Sequence, residues 1–261
     1  MDLATILGLL LGWGAFLGSI LMEGGSIGGL INIPAFILVV GGTLGATVIS
    51  YPLSAMTSLP LILKNAFIGA SYDTTKLVMT VVDLAKKARR EGILVLEDEA
   101  RKIDNVFLRT GIQLVVDGVP SEAVREILET EVVAMQERHK VGESIMSAMG
   151  GFGPTLGVIG TVSGLVHMLH NLSDPGKMGP AIAGAFIATL YGVCTANLIY
   201  LPIAGKLKCR SAEEVAYCVL VIEGILSIQA GDNPRIVESK MRAFLGPKQR
   251  EALERALPEE A

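Results

Sequence analysis

Four long apolar stretches of this chain contain no carboxylate, at about residues 3–22, 33–53, 149–169 and 180–205. Each approaches the ~20 residues that a helix needs to cross a hydrocarbon layer ~30 Å thick. The cations are sorted around them. Of the 22 Lys and Arg residues, twelve lie from Lys64 to Lys140, nine from Lys206 to Arg255, and only Lys177 falls in a short connection. By the positive-inside rule, both large polar regions face the cytoplasm and the connections 23–32 and 171–179 face the opposite side. An even number of spans returns both termini to the cytoplasmic side. The expected fold class is all-α: a polytopic membrane protein with four transmembrane helices and a helical cytoplasmic domain. The expected division is 1–53 for the first two spans, 54–148 for a cytoplasmic helical loop, 149–206 for the last two spans and 207–261 for C-terminal cytoplasmic helices and tail.

Composition agrees with a chain shared between lipid and water. Apolar residues make up 51% and the mean hydropathy is +0.52. A net charge of −4 and a pI near 5.5 leave no basic footprint for nucleic acid. Cys194, Cys209 and Cys218 form no CxxC pair, so free thiols are expected. Residues 3–22 resemble a leader peptide only in hydropathy. Asp2 stands where a leader has a basic residue and no A-x-A site follows, so a retained first helix is expected.

The polar regions carry helical periodicity. Asp73–Arg90 has apolar residues at Leu77, Val78, Val81, Val82, Leu84 and Ala85, an amphipathic pattern. Glu97–Val116 reads as a second helix ended by Asp117-Gly118. A third starts at Pro120-Ser121 and runs through Val124, Ile127, Leu128 and Val132 to about Ile145. Gly150-Gly151-Phe152-Gly153-Pro154 is expected to be a flexible entry to the third span, and Asp174-Pro175-Gly176 to turn the chain before the fourth. Val215–Ile228 is too short to cross a membrane and contains Glu223, so a separate packed or interfacial helix is expected. Asn233-Pro234 starts a final helix, and the tail from Pro247 is expected to fray.

Glycine is dense in the spans, and Gly8-x3-Gly12 and Gly160-x3-Gly164 fit close helix packing. These glycines follow no strand, which excludes a nucleotide loop. His167 and His170 lack a companion Cys, Asp or Glu at ligand spacing, so they are read as interfacial rather than metal-binding. No nucleophile elbow, zinc motif or P-loop is present, and neither an enzyme nor a bound cofactor is expected. Thr161 and Thr189 lie inside spans. Each is either a packing hydroxyl bonded to its own helix or an oxygen offered to an ion. Arg89-Arg90, Glu97-Asp98-Glu99 and Arg101-Lys102 bracket the apolar insertion Gly92-Ile93-Leu94-Val95-Leu96, either as a solvated face or as a docking surface.

With Gly153-Pro154-Thr155-Leu156-Gly157-Val158-Ile159-Gly160-Thr161, Thr189-Leu190-Tyr191-Gly192, Leu201-Pro202-Ile203-Ala204-Gly205-Lys206-Leu207 and Gln229-Ala230-Gly231-Asp232-Asn233-Pro234-Arg235, the chain strongly resembles the MotA/PomA/MotP family. These are the A subunits of the bacterial flagellar stator, and the resemblance covers nearly the whole length. It implies a pentamer around a dimer of a MotB-type partner, in lipid of the bacterial inner membrane. It also implies cation flow that drives rotation, and contact with the rotor protein FliG. By position, Pro154 and Pro202 match the family's coupling prolines, and Arg89 and Glu97 its rotor-facing pair. Arg90 and Asp98 match additional charges of sodium-type members, while Ala100 stands where some members are acidic. Sodium-type members also place Thr at the position of Thr161, so Na+ is the favoured transported ion, with H+ the alternative. The spans hold no acid of their own, and a bare charge at the bilayer centre is costly. The conducting carboxylate must therefore come from the partner. The alternative function is an ExbB/TolQ-type energy-transducing subunit, which resembles a three-span layout rather than four.

Overall fold

A computed structural model describes residues 3–67, 72–170, 173 and 175–256. No strand occurs among them. Helix α1 is Leu3–Met22. A 3-10 turn, Ile27–Leu30, leads to α2, Ile33–Ser50. The short α3 and α4 are Leu53–Thr57 and Leu59–Phe67. Then come α5 (Thr74–Glu91), α6 (Leu96–Ala100), α7 (Val106–Val116) and the 50-residue α8 (Ser121–His170). Helix α9 (Pro175–Thr195) passes through a π-helical turn, Ala196–Tyr200, into α10 (Leu201–Gln229). Helices α11 (Pro234–Arg242) and α12 (Pro247–Ala256) follow. Among the described residues, four helices are long and apolar enough to cross a membrane. The all-α, four-span class expected from hydropathy is the class observed.

The described residues group into two compact units, one within 1–70 and 138–210, the other within 71–137 and 211–261. The first unit holds the spans and also α3, α4 and residues 138–148, which hydropathy had grouped with the polar loop. Ala55 and Ala66 of α3 and α4 pack with Ile145, Met146 and Met149 of α8 and with Ile203 and Ala204 of α10. Compactness follows packing, whereas hydropathy records only the preferred solvent.

Within this unit α1 buries no residue, as suits a helix apolar all round. Helix α2 starts where Asn32 Oδ1 accepts the Ala35 N–H at 3.0 Å and Pro34 occupies the first turn. It packs through Ala35 and Val39 against Ala188 of α9. Its buried Thr43 and Thr47 donate to the carbonyls of Val39 and Thr43 at 2.6 and 2.7 Å, so no buried hydroxyl is stranded.

Helices α8 and α9 approach almost backbone to backbone. A Cβ on Gly157 would lie 2.9 Å from the Ala188 carbonyl oxygen and 3.0 Å from Thr189 Cα, and one on Gly164 would lie 2.8 Å from Ala185 Cβ. Gly153 joins this contact, where an added Cβ would lie 3.1 Å from the Gly192 carbonyl oxygen, and Gly150 packs on α10, so neither loosens the chain. A Cβ on Gly150 would meet Leu201 Cδ2 at 2.5 Å, and Pro154 sits inside a continuous helix. This corrects the expected flexible entry. In an apolar solvent a helix is the one local structure that satisfies its own backbone, so the chain keeps it through glycine and proline.

The second unit has a conventional core. Leu77, Val78, Val81, Val82, Leu84 and Ala85 of α5 are all buried, as their spacing predicts. They pack with Leu108, Ile112 and Val115 of α7, Val124, Leu128 and Val132 of α8, Leu220, Val221 and Ile225 of α10, and Val237 and Met241 of α11. Several boundaries differ from expectation. Glu97–Val116 is two helices, because Asn105 caps α7 by accepting the Leu108 N–H at 2.8 Å. Ile127 is 45% exposed and belongs to the outer face. Val215–Ile228 is no separate helix but the end of α10. Beyond Pro247 the chain forms α12, anchored by buried Leu253, up to Ala256. The Asp174 of the expected turn lies outside the described residues, and Pro175-Gly176 already belongs to α9.

A single methyl tests the α8–α9 contact. In Gly192→Ala the new Cβ would fall 3.2 Å from Gly157 Cα and against the Gly153 carbonyl, backbone atoms that cannot rotate away. Overpacking of this kind costs ~1–3 kcal/mol. Gly14→Ala, with nothing within 4 Å, is the control. The thermal midpoint of the purified protein in detergent should fall for Gly192→Ala and hold for Gly14→Ala; equal midpoints would refute the close contact.

Candidate functional site

The close approach of α8 and α9 brings together the two span threonines, 28 residues apart in sequence. Their hydroxyls are hydrogen-bonded to each other. Thr161 Oγ1 also lies 3.1 Å from the Gly157 carbonyl and 3.0 Å from the Ala185 carbonyl, and Thr189 Oγ1 lies 3.3 Å from the same Gly157 oxygen. Both readings of Thr161 therefore meet at one place: it bonds its own helix four residues back and also faces a second helix. Two hydroxyls and two carbonyls form a cluster of four oxygens. Only two protons serve it, so lone pairs remain, and a neutral oxygen cluster of this kind suits a hard monovalent cation. No group of three His, Cys, Asp or Glu side chains gathers anywhere among the described residues.

Tyr191, one turn-fraction beyond Thr189, ties α9 to the connection before α2. Its hydroxyl donates to the Leu30 carbonyl at 2.5 Å and accepts the Asn32 N–H at 3.1 Å, while its ring meets Phe36 edge-on. Sequence reading singled out Tyr191 only as part of a motif. Its partners lie about 160 positions away, beyond the reach of any local pattern.

The two prolines have different settings. Pro154 is inside α8. Pro202 is the second residue of α10, immediately after the π-helical turn, where the Leu201 N–H reaches back five residues to the Ala196 carbonyl. A π turn widens the helix ahead of a residue that lacks an N–H. Pro202 also borders a cavity of about 410 Å³ lined by Thr5, Gly8 and Gly12 of α1 and by Leu198 and Lys206. His167 and His170 are both exposed on the last turns of α8.

In the second unit, Arg89, Arg90, Glu97 and Asp98 are all exposed, and the structure brings them to one turn. Gly92 makes that turn with φ +88°, a conformation that favours glycine. The 3-10 turn Ile93–Val95 follows, with Leu94 75% exposed, and buried Leu96 anchors α6. Glu97 pairs with Arg101 at 3.0 Å, whereas Arg89, Arg90 and Asp98 have no side-chain partner among the described residues. Beneath them, Lys87 of α5 bonds Glu99 of α6 at 2.8 Å and Asp83 at 3.2 Å, and Lys102 bonds Glu99 at 2.8 Å. Lys87 was not singled out from sequence; its spacing of twelve residues from Glu99 falls across a turn, not along one helix.

Hydrogen bonds from Lys102 and Lys87 hold the Glu99 carboxyl down at about 2, and the bonds that Lys87 donates to Glu99 and Asp83 raise Lys87. A carboxyl depressed on folding stabilises the fold when ionised. Its contribution is complete above the ordinary value of ~4.3 and is lost as pH falls toward about 2. Glu99→Gln should accordingly lower the thermal midpoint at pH 7, with the gap from the parent closing as the pH is taken down through that window. A gap that persists at pH 2 would mean the carboxylate is not the cause.

Residues 99–218 match the model of the MotA/TolQ/ExbB proton channel family, and residues 6–92 that of the motility protein A N-terminal region. Motility protein A of Borreliella burgdorferi is 40% identical over 253 residues, 97% of each chain. The chemotaxis protein PomA of Vibrio alginolyticus is 37% identical, covering 96% of this chain and 98% of its own. Among solved structures, a chain of the flagellar MotAB stator complex from Bacillus subtilis superposes with a TM-score of 0.90 at 34% identity, over 95% of this chain and 98% of that one.

Proposed function

This chain belongs to the MotA/TolQ/ExbB proton channel family, and we propose that it is the A-type stator subunit of a bacterial flagellar motor, converting cation flow into torque. It is an ion-channel torque generator and not an enzyme. The observation that carries this reading is near-full-length similarity to motility proteins A, spread over both the spans and the cytoplasmic unit. The ExbB/TolQ alternative fares worse, because the N-terminal match covers two spans that a three-span layout does not supply in this order. The chain lies in the inner membrane, and the sorting of cations supports a topology with both termini in the cytoplasm.

The family resemblance supports the following division of labour. A MotB-type partner supplies the carboxylate that the spans lack, and five copies of this chain surround a dimer of it. The cation passes beside the Thr161–Thr189 oxygens, which replace part of its hydration shell. Na+ is the favoured ion because a sodium ion needs several oxygen ligands, whereas a proton needs one acceptor and a water chain. Pro202, set between a π turn and a cavity, is a point where α10 can bend without breaking further bonds, and Pro154 is its counterpart in α8. Arg89, Arg90, Glu97 and Asp98 form the face offered to FliG.

Motor speed against external Na+ at fixed pH tests the ion site. The parent should slow as Na+ is withdrawn, and Thr161→Ala should need more Na+ for half-maximal speed. Undiminished rotation of the parent in Na+-free medium would assign coupling to protons.

Swimming speed tests the rotor face. Exposed ion pairs contribute only ~0.2–1 kcal/mol each, so Arg89→Glu or Glu97→Lys alone should slow cells partially. The double exchange should be severe, with membrane levels of the protein unchanged. Parental speed in the double variant would remove these residues from the interface.

A further inference from the structure

The cavity of about 410 Å³ beside Pro202 lies wholly within the membrane-spanning unit, between the first half of α1 and the start of α10. Gly8 and Gly12 of α1 face Leu198 of the π turn and Pro202 and Ile203 of α10 across it. Among the described residues that line it, Lys206 is the one charged side chain and none is acidic. The two helices run antiparallel here. Gly12 lies against Leu198, with an added Cβ 3.3 Å from Leu198 Cδ2, whereas one turn earlier a Cβ on Gly8 would meet nothing within 4 Å. The gap therefore opens from Gly12 toward the beginning of α1. At a rise of ~1.5 Å per residue it extends ~12 Å along that helix.

This gap matters because α1 buries none of its own residues. Apolar walls without a partner forfeit their dispersion contacts. An apolar cavity of roughly 150 Å³ stays dry and takes up benzene, so this larger apolar space calls for hydrocarbon and not for water. In a membrane, hydrocarbon comes as acyl chains. The helix of a second copy would suit the apolar walls equally well, but it would bring nothing to complement a cation. Lys206 and Arg210 are four residues apart on one face of α10, and Lys208 is exposed between them. Lys64 is exposed two residues before Ala66, which lines the same cavity. Basic pockets between spans on the cytoplasmic side recognise anionic lipid headgroups.

We propose that this cavity binds one anionic phospholipid of the cytoplasmic leaflet, of the phosphatidylglycerol type. An acyl chain lies along α1 from Thr5 to Gly12, and the phosphate sits at Lys206. The lipid stands in for the side chains that Gly8 and Gly12 lack and fastens α1 to α10 beside Pro202. The inference goes beyond the stator reading. It needs only the cation sorting that supports this end of the spans as cytoplasmic.

The full-length chain, purified in detergent with the partner subunits that accompany it, serves for the test. Added phosphatidylglycerol should raise its thermal midpoint by several degrees, and phosphatidylcholine with the same acyl chains by less than half as much. In Gly8→Leu the new side chain fills the groove, so the rise with phosphatidylglycerol should vanish. Gly14→Leu, on α1 but outside the cavity and with open space around it, should keep the rise. Lys206→Gln removes the charge, and both lipids should then give the smaller rise. Equal rises with the two lipids on the parent, or a full phosphatidylglycerol rise in Gly8→Leu or in Lys206→Gln, overturns the site. If Gly8→Leu breaks the oligomer that Gly14→Leu still forms, a second copy fills the groove and the proposal is likewise overturned. Where Gly8→Leu does not accumulate, Lys206→Gln and the two-lipid comparison on the parent decide.

Discussion

Much of this molecule depends on the near-contact of two helix backbones, α8 and α9, inside an apolar solvent. Hydrocarbon contributes no hydrophobic force between helices, so association rests on dispersion and on polar groups that meet in the gap. Glycines 153, 157, 160, 164 and 192 remove the side chains that would hold the backbones apart. That single feature has two consequences. It packs the spans, and it brings carbonyls of one helix within reach of hydroxyls on the other. The oxygen cluster at Thr161 and Thr189 is thus a product of packing, not an addition to it.

The same solvent explains the helices that continue where water-based rules would end them. Pro154 in α8 and the π turn before Pro202 each disturb the regular bond pattern. In water either site is free to end the helix, since water satisfies the released groups. In lipid the released groups have no such partner, and local widening of the helix is the cheaper response. Pro154 and Pro202 therefore sit at deformable points in otherwise unbroken helices, a property suited to the coupling role proposed for them.

In the second unit ordinary aqueous rules return. An apolar core fed by seven helices anchors the turn at Gly92, and the Lys87–Glu99–Lys102 network fastens α5 to α6 beneath it. Anchoring matters because Arg89, Arg90 and Asp98 are displayed without partners of their own. A charged surface of the kind proposed here for docking keeps its register only if the elements beneath it are held.

Local properties were legible in the sequence. Hydropathy located four spans, a 3.6-residue period marked all six buried positions of α5, and Asn-Pro announced α11. Residues 161 and 189 stood out as hydroxyls in apolar helices. What the sequence left open were relations between distant segments. Whether Thr161 meets Thr189, whether Tyr191 holds Asn32, and whether Lys87 reaches Glu99 depend on helix rotation and approach, which no single helix encodes. Continuity through Gly150–Pro154 is not legible in the sequence for a related reason. Glycine and proline have one meaning in water and another in lipid between packed helices, and only the tertiary structure decides which surroundings a residue has.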